Sequence, residues 1–144
     1  MDCSEIMRQR VITLPPDASA AVAARAMAEA GCGMVPICTS DGEIVGVVTD
    51  RDIVVRVCSE GRAADRTPLS AIMTPDPVAC SPTDSLHTAE DLLVKHHKSR
   101  ILVVDAGRLV GIISLTDIAQ HEEPLRLARV VREISSREYR LEHS

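Results

Sequence analysis

The chain has 144 residues, of which 45% are apolar and 26% are charged, so it can bury the core of one domain or of two small modules. This composition excludes intrinsic disorder, and a net charge of −5 with Tyr139 as the single aromatic residue argues against nucleic-acid binding, which needs a basic surface and stacking aromatics. No apolar run reaches the ~20 residues of a membrane span and the N-terminus has no apolar signal region, so we expect a cytoplasmic protein without a membrane partner.

The first half of the chain predicts a short extended piece, a helix, two strands and a second helix. The extended piece is Val11–Leu14, and the helix after it has its N-cap predicted at Asp17 and its C-cap at Gly31. Apolar residues recur at helical spacing between the two caps. The strands are Met34–Cys38 and Ile44–Val48, and the Asp-Gly in the loop between them is typical of a hairpin turn.

The second half predicts the same order of elements. Val78–Cys80 is the extended piece, and the helix after it has its N-cap predicted at Thr83. The strands are Ile101–Val104 and Leu109–Ile113, again joined by a loop that contains glycine. The second helix of this half begins near Thr116.

A further helix is predicted after Pro124, where apolar residues recur near helical spacing and arginines lie largely on the other faces. The apolar residues are Leu127, Val130, Val131 and Ile134. We expect this stripe to dock on the body of its own chain or of a dimer mate, because an isolated helix of about 12–15 residues is marginal in water. A partner-binding helix is the alternative.

The two halves are copies of one motif. With an offset of 66 residues, Ser4–Met7 falls on Ser70–Met73, and Pro16 falls on Pro82. After a one-residue deletion in the second copy, V-G-V-V-T-D-R-D-I meets V-G-I-I-S-L-T-D-I. The predicted organisation is motif 1 at residues 4–60, a linker at 61–69, motif 2 at 70–122 and a helical tail at 123–144.

These motifs resemble the tandem CBS-domain family, and within it the stand-alone bacterial pairs, or Bateman modules. The resemblance rests on S-x-I-M in both copies and on the two nine-residue segments above, and it extends from about Ser4 to about Glu122. It implies an α+β or α/β fold in which two βαββα motifs pack as a pseudo-two-fold module. It also implies two symmetry-related clefts between the motifs that commonly bind adenosine-containing ligands.

Thr49-x-x-Asp52 and Ser114-x-x-Asp117 lie where a buried strand ends and a helix begins. A hydroxyl at this position can cap the helix or donate to a phosphate, and a carboxylate three residues later can accept hydrogen bonds from the two hydroxyls of a ribose. The helix start adds backbone N–H groups that favour phosphate. Simple helix capping is the alternative for either motif alone, and the occurrence at equivalent positions of both copies favours a ligand.

The resemblance assigns the adenine ring to the first extended piece of each copy, where backbone groups contact the adenine edge and small apolar side chains cover its faces. The residues in this role are Val11, Ile12 and Thr13 in the first copy and Pro77, Val78 and Ala79 in the second. Many family members have threonine at the Ala79 position. The Asp52 cleft is therefore favoured over the Asp117 cleft.

A phosphate needs a positive charge within reach. Arg51 lies inside the T-D-R-D turn, and Lys98 and Arg100 precede a strand of the second copy. The resemblance implies that residues of one motif reach phosphates bound beside the other, so Lys98 or Arg100 is a candidate for the Asp52 site. Solvated surface charge is the alternative for each of the three.

No metal site or catalytic centre is predicted. Neither a cysteine nor a further histidine completes a tetrahedral set around His87, His96 and His97 at a recognisable spacing. The five cysteines are scattered without a C-x-x-C pair, which predicts free thiols in a reducing compartment. The sequence also lacks a nucleophile elbow and a P-loop, so we expect no enzyme.

The sequence thus predicts a non-enzymatic sensor of an adenine nucleotide such as AMP, ADP or ATP, with S-adenosylmethionine or a dinucleotide left open. Because no effector domain is recognised in the chain, we expect the signal to pass to a partner protein through a change of shape. We also expect a homodimer, because such a module exposes apolar helical faces that a monomer of 144 residues does not cover alone. A scaffold module with vestigial clefts is the second hypothesis. A small redox or metal protein is the third.

Overall fold

A computed structural model describes residues 1–143, apart from the side chain of Arg137, as a mixed α+β fold. Its α-helices are α1 (Cys3–Ile6), α2 (Ala20–Ala30), α3 (Asp50–Ile53), α4 (Leu86–His96), α5 (Leu115–Ala119) and α6 (Pro124–His143). Its strands are β1 (Met34–Cys38), β2 (Ile44–Thr49), β3 (Thr74–Pro75), β4 (Ala79–Cys80), β5 (Arg100–Asp105) and β6 (Arg108–Ser114). Among these helices, none is both long enough and apolar enough to cross a membrane.

The chain divides into two compact units, which exchange short segments of sequence. The first unit comprises Ile12–Pro77 and Gly107–Leu109, and the second comprises Met1–Val11, Val78–Ala106 and the chain from Val110 onward. The S-x-I-M segment of each copy therefore belongs to the unit that the other copy mainly builds. The repeat in the sequence and the units of the fold do not coincide at their N-terminal ends.

The first unit contains an antiparallel sheet in the order β1-β2-β3. Val35 pairs with Val48 in the hairpin, and Gly46 of β2 pairs with Pro75 of β3. A Cβ atom at Gly46 would lie 2.8 Å from Met73 Sδ and 2.9 Å from the carbonyl oxygen of Thr74. Glycine is required here because the Met73 side chain and the Thr74 carbonyl at the start of β3 fill the space that a side chain at position 46 would take.

The second unit contains a sheet in the order β4-β5-β6. Ala79 of β4 pairs in parallel with Leu102 of β5, and Arg8 forms an antiparallel bridge with Ile112 of β6. The bridge consists of two hydrogen bonds, Arg8 N–H to Ile112 O at 2.8 Å and Ile112 N–H to Arg8 O at 3.0 Å. The N-terminal segment thus pairs with β6 in the second unit in the same way as Thr74 of β3 pairs with β2 in the first.

Helix α6 docks on the second unit of its own chain, as the apolar stripe predicts. Val130 is buried, and Leu127 and Ile134 pack against the core of this unit, whereas Val131, the fourth residue of the predicted stripe, is exposed. Arg126 Nε donates to Glu90 Oε1 of α4 over 2.7 Å. Burial, together with the neighbouring Glu122, raises the pKa of Glu90 to about 7 although Arg126 opposes the shift.

The long helices begin later than the sequence predicts. Their N-caps are Ser19 and Ser85, whose side chains accept hydrogen bonds from Val22 N–H and Thr88 N–H. Asp17 and Thr83 are not the caps. Each lies in the turn that follows a proline, and this turn uses two more residues before the helix can start. The C-cap prediction is confirmed, because Gly31 adopts the left-handed conformation with φ of 66°.

The four longer strands are confirmed, with every end within one residue of the prediction. The extended piece Val11–Leu14 forms no strand in the structure; Leu14 alone pairs, in a parallel bridge with Ile37. Thr67 and Leu69, at the end of the predicted linker, are buried in the first unit. A π-helical turn at Val54–Cys58 continues α3.

Candidate functional site

The Thr49–Asp52 junction of the first unit is closed by two reciprocal hydrogen bonds. Asp52 N–H donates to Thr49 Oγ1 over 3.1 Å, and Thr49 N–H donates to Asp52 Oδ2 over 2.9 Å. This is a capping box, so the helix-capping role that the sequence left open for Thr49 is real. Capping uses Asp52 Oδ2 and fixes the direction of the carboxylate.

The second oxygen of Asp52 has a looser environment. Oδ1 lies 3.8 Å from Arg56 Nε, one helical turn away, which is too long for a hydrogen bond. Arg56 is itself directed elsewhere, because its Nη1 donates to the carbonyl oxygen of Ile72 over 3.0 Å. Within the described residues, Oδ1 accepts no hydrogen bond, and the carboxylate can still take a polar hydrogen there.

The Ser114–Asp117 junction of the second unit has the same cap and a different second oxygen. Ser114 donates to Asp117 Oδ2 from both N–H and Oγ, each over 2.9 Å. Asp117 Oδ1 accepts a hydrogen bond of 2.9 Å from Arg8 Nε. Burial raises the pKa of Asp117, but the hydrogen bonds from Ser114 and Arg8 outweigh it and hold the pKa below its ordinary value.

The two junctions therefore differ at one carboxylate oxygen, which accepts a hydrogen bond from Arg8 in Asp117 and accepts none from the described residues in Asp52. In the second unit Arg8 occupies Asp117 Oδ1, and Arg8 follows Met7 in the N-terminal segment. In the first unit the equivalent residue is Thr74, which follows Met73 and carries no charge. Our sequence reasoning missed this difference. Its signal was nonetheless present, because Arg8 aligns with Thr74 in the repeat.

The structure sorts the other predicted site residues between the units. With Asp52 and Thr49, the first unit contains Ile12, Thr13 and Arg51, and all three of these side chains are exposed. With Asp117 and Ser114, the second unit contains Val11, Val78, Ala79, Lys98 and Arg100. Lys98 and Arg100 are exposed in a different unit from Asp52, and their role at its phosphates stays a prediction.

The cysteines are free, as the sequence predicts, but they differ in burial: Cys58 is exposed and Cys32 is half-buried. All five cysteines are free, and Cys3, Cys38 and Cys80 are buried. Cys80 Sγ lies 3.7 Å from Cys3 Sγ, and burial, with the neighbouring thiol of Cys3, raises the pKa of Cys80 to about 12. These two thiols are therefore protonated at neutral pH and fill the core as small apolar side chains.

Comparison with known proteins identifies the fold. The sequence pattern of the CBS domain family matches residues 3–58 and 69–123. The chain belongs to the CBS domain family. The CBS domain-containing protein YhcV of Bacillus subtilis is 34% identical over 118 residues, which are 82% of this chain and 83% of the relative. The resemblance drawn from the repeat is confirmed, and so is the mixed α+β fold that it implies.

Solved structures of other CBS pairs share the fold. A CBS domain protein from Pyrobaculum aerophilum complexed with AMP is 28% identical, with a TM-score of 0.77 over 90% of this chain and 99% of that one. Hypoxic Response Protein I, solved with two coordinated zinc ions, is 27% identical, with a TM-score of 0.78 over 85% of this chain and all of the other. This CBS pair therefore has relatives of known structure along nearly its whole length.

Proposed function

We propose that this CBS pair is a regulatory module that binds an adenosine-containing ligand at the Asp52 junction and passes the signal to a partner protein. The observation that carries the proposal is the state of Asp52. Its Oδ2 is used by the cap, which orients the carboxylate, while its Oδ1 faces Arg56 only at 3.8 Å. A fixed carboxylate with spare acceptor capacity suits the two hydroxyl donors of a ribose.

Side chains of the same unit suit the rest of such a ligand. Ile12 is 45% exposed, so an apolar surface is available to cover a purine face. Thr13, beside it, adds a hydroxyl that can donate or accept. Arg51 is exposed next to Asp52 and supplies a positive charge for a phosphate. The relative of 28% identity that was solved with AMP supports this class of ligand.

The Asp117 junction is proposed as the weaker of the two. A ligand there competes with Arg8 for Asp117 Oδ1, and the present hydrogen bond of 2.9 Å must be broken or rearranged first. Ala79 adds no hydroxyl in this unit where Thr13 does in the other. We therefore propose that the Asp52 junction fills first and at lower ligand concentration.

We also propose that the protein acts as a homodimer. Apolar side chains are exposed on the first unit, where a second copy can cover them: Val22 on α2, and Val54 and Val55 in the π-helical turn after α3. Of these three side chains, that of Val54 is the most exposed, at 59%. Burying such side chains against a second copy is favourable because it removes apolar area from water. In a two-fold dimer this patch of one copy meets the same patch of the other.

Isothermal titration of the full chain with AMP, ADP, ATP and S-adenosylmethionine tests the function. A saturable heat with at least one of them, accompanied by a higher melting temperature, is the expected result. Absence of binding by all four, with a normally folded protein, would overturn the nucleotide-sensing proposal. That outcome would favour the scaffold hypothesis.

A further inference from the structure

Three side chains of the second unit that are distant in sequence meet between α4 and the start of α6. His87 and Glu90 lie on α4, and Glu122 lies in the segment between α5 and α6. One ligand atom from each of the three lies within 4.8 Å of the other two. Glu90 is fully buried and Glu122 is nearly so, whereas the His87 side chain is 62% exposed. The two carboxyl groups of the cluster are therefore buried, and the imidazole lies on its solvent side.

Each carboxylate in this cluster has one oxygen that is held and one that is not. Glu90 Oε1 accepts from Arg126 Nε over 2.7 Å, and Glu122 Oε1 accepts from Glu123 N–H over 2.8 Å. Glu90 Oε2 and Glu122 Oε2 are buried and accept no hydrogen bond from the residues that the structure describes. Buried acceptors are nearly always paired in folded proteins, so these two oxygens need either a bound cation or a proton that the two carboxyl groups share.

The positive charge already present does not balance the cluster. Arg126 Nε lies 3.6 Å from Glu122 Oε2, and its Nη2 lies 3.7 Å from Asp91 Oδ1. One guanidinium therefore faces three carboxylates: those of Glu90, Glu122 and Asp91. When both carboxyl groups are ionised, the cluster carries more negative charge than Arg126 balances, and a divalent cation supplies the missing positive charge.

We propose that His87, Glu90 and Glu122 bind a divalent transition-metal ion, with Zn²⁺ the preferred metal and solvent completing the coordination. Zinc accepts imidazole nitrogen and carboxylate oxygen at about 2.0–2.2 Å, so two such ligands at a tetrahedral angle are roughly 3.4 Å apart. His87 Nε2 and Glu122 Oε2 are 3.6 Å apart. The imidazole disfavours Ca²⁺ and Mg²⁺, which prefer sites made of oxygen alone.

Arg126 has a supporting role in this site. It holds the oxygen of Glu90 that does not face the metal, as outer hydrogen-bond partners orient ligating carboxylates in other metal sites. The sequence predicts no metal here, because it offers neither a cysteine nor a further histidine at a suitable spacing. The ligand that the sequence pattern does not reveal is Glu122, because it is distant in sequence and is brought next to His87 and Glu90 only by the fold.

Isothermal titration of ZnCl₂ into chelator-treated, full-length protein tests the site. We compare the wild type with His87→Ala and with Glu122→Gln, and use His96→Ala, an exposed histidine of the same helix, as the matched control. His87 is largely exposed, so its replacement leaves the fold intact, and equal melting temperatures without metal verify this. Each ligand variant is expected to weaken Zn²⁺ binding by at least about tenfold, the lower bound for losing even an outer partner, while His96→Ala has no effect.

The thiols are checked separately, because five free cysteines can also attract zinc. Co²⁺ in place of Zn²⁺ reports thiolate ligands through a charge-transfer band, and we expect no such band. Three outcomes overturn the proposal: no Zn²⁺ binding by the wild type, equal binding by His87→Ala or by Glu122→Gln, or a thiolate band with Co²⁺. Absence of binding would leave a carboxyl pair that shares a proton, and this result is independent of whether AMP binds at Asp52.

Discussion

Asp52→Asn changes one oxygen of the capping carboxylate into an NH₂ group and leaves the rest of the side chain in place. The remaining amide oxygen can still accept from Thr49 N–H, so the helix start is preserved. The charge is lost, and the NH₂ group at the Oδ1 position can no longer accept a hydrogen bond from a ribose hydroxyl. The substitution therefore separates ligand binding from capping.

The size of the effect follows from the hydrogen bond that is lost. A hydrogen bond to a charged group contributes about 1.5–3 kcal/mol, and each 1.4 kcal/mol changes the dissociation constant about tenfold. AMP binding is therefore expected to weaken by about 10- to 150-fold in Asp52→Asn. Asp117→Asn, the matched variant of the other unit, is expected to change the affinity of the first binding step little, because Arg8 already occupies Asp117 Oδ1.

Isothermal titration with AMP measures both variants, and circular dichroism verifies that each is folded. Equal affinities of the wild type and Asp52→Asn would refute the assignment of the ribose to Asp52. A large loss of AMP affinity in Asp117→Asn alone would show that AMP binds first at the Asp117 junction and not at the Asp52 junction.

Four further predictions concern stability and assembly. The pKa of Asp117 is lower in the folded than in the unfolded chain, where it is about 3.9. The ionised Asp117 therefore stabilises the fold fully above about pH 3.9, and this contribution is lost as the pH falls through the pKa of the folded state. The difference in unfolding free energy between the wild type and Asp117→Asn should therefore narrow in acid. A difference that stays constant with pH contradicts this prediction. Gly46→Ala should destabilise by about 1–3 kcal/mol in urea unfolding, because the new Cβ meets the Thr74 backbone. Gly33→Ala should cost less, because its Cβ meets only the side chain of the exposed Asp50, which can turn away. Truncation after Glu123 should lower the melting temperature, since it removes Val130 and its neighbours from the core, with AMP affinity nearly unchanged; an unaltered melting temperature would mean that α6 is not docked. Light scattering at micromolar concentration should give twice the mass of the chain, and a monomer mass counts against the dimer.

Local features of the fold could be predicted from the sequence, because short-range rules control them. The strand Met34–Cys38 is an apolar run ended by turn residues, and Gly31 marks a helix end that only a left-handed residue closes well. The predicted N-cap at Asp17 is wrong, because Asp17 and Ser19 are both good capping residues two positions apart and the local pattern does not choose between them. Choosing between them requires the geometry of the turn after Pro16, which composition does not reveal.

Contacts between distant parts of the chain could not be predicted in this way. The pairing of Arg8 with Asp117 exists because the N-terminal segment belongs to the second unit, and no local pattern indicates this exchange. The meeting of Glu122 with His87 has the same origin. In both cases the residue types were visible in the sequence, and their partners depended on the topology.

The exchange of N-terminal segments also determines the order in which the protein can fold as it leaves the ribosome. Residues 12–77 form nearly all of the first unit and are synthesised as one continuous stretch, so this unit can start to assemble early. Met1–Val11 must wait, because its partner strand contains Ile112, near the end of the chain. A gene cut between the two copies would therefore give two fragments that each lack an edge segment, whereas a fragment of residues 12–77 would retain nearly all of the first unit.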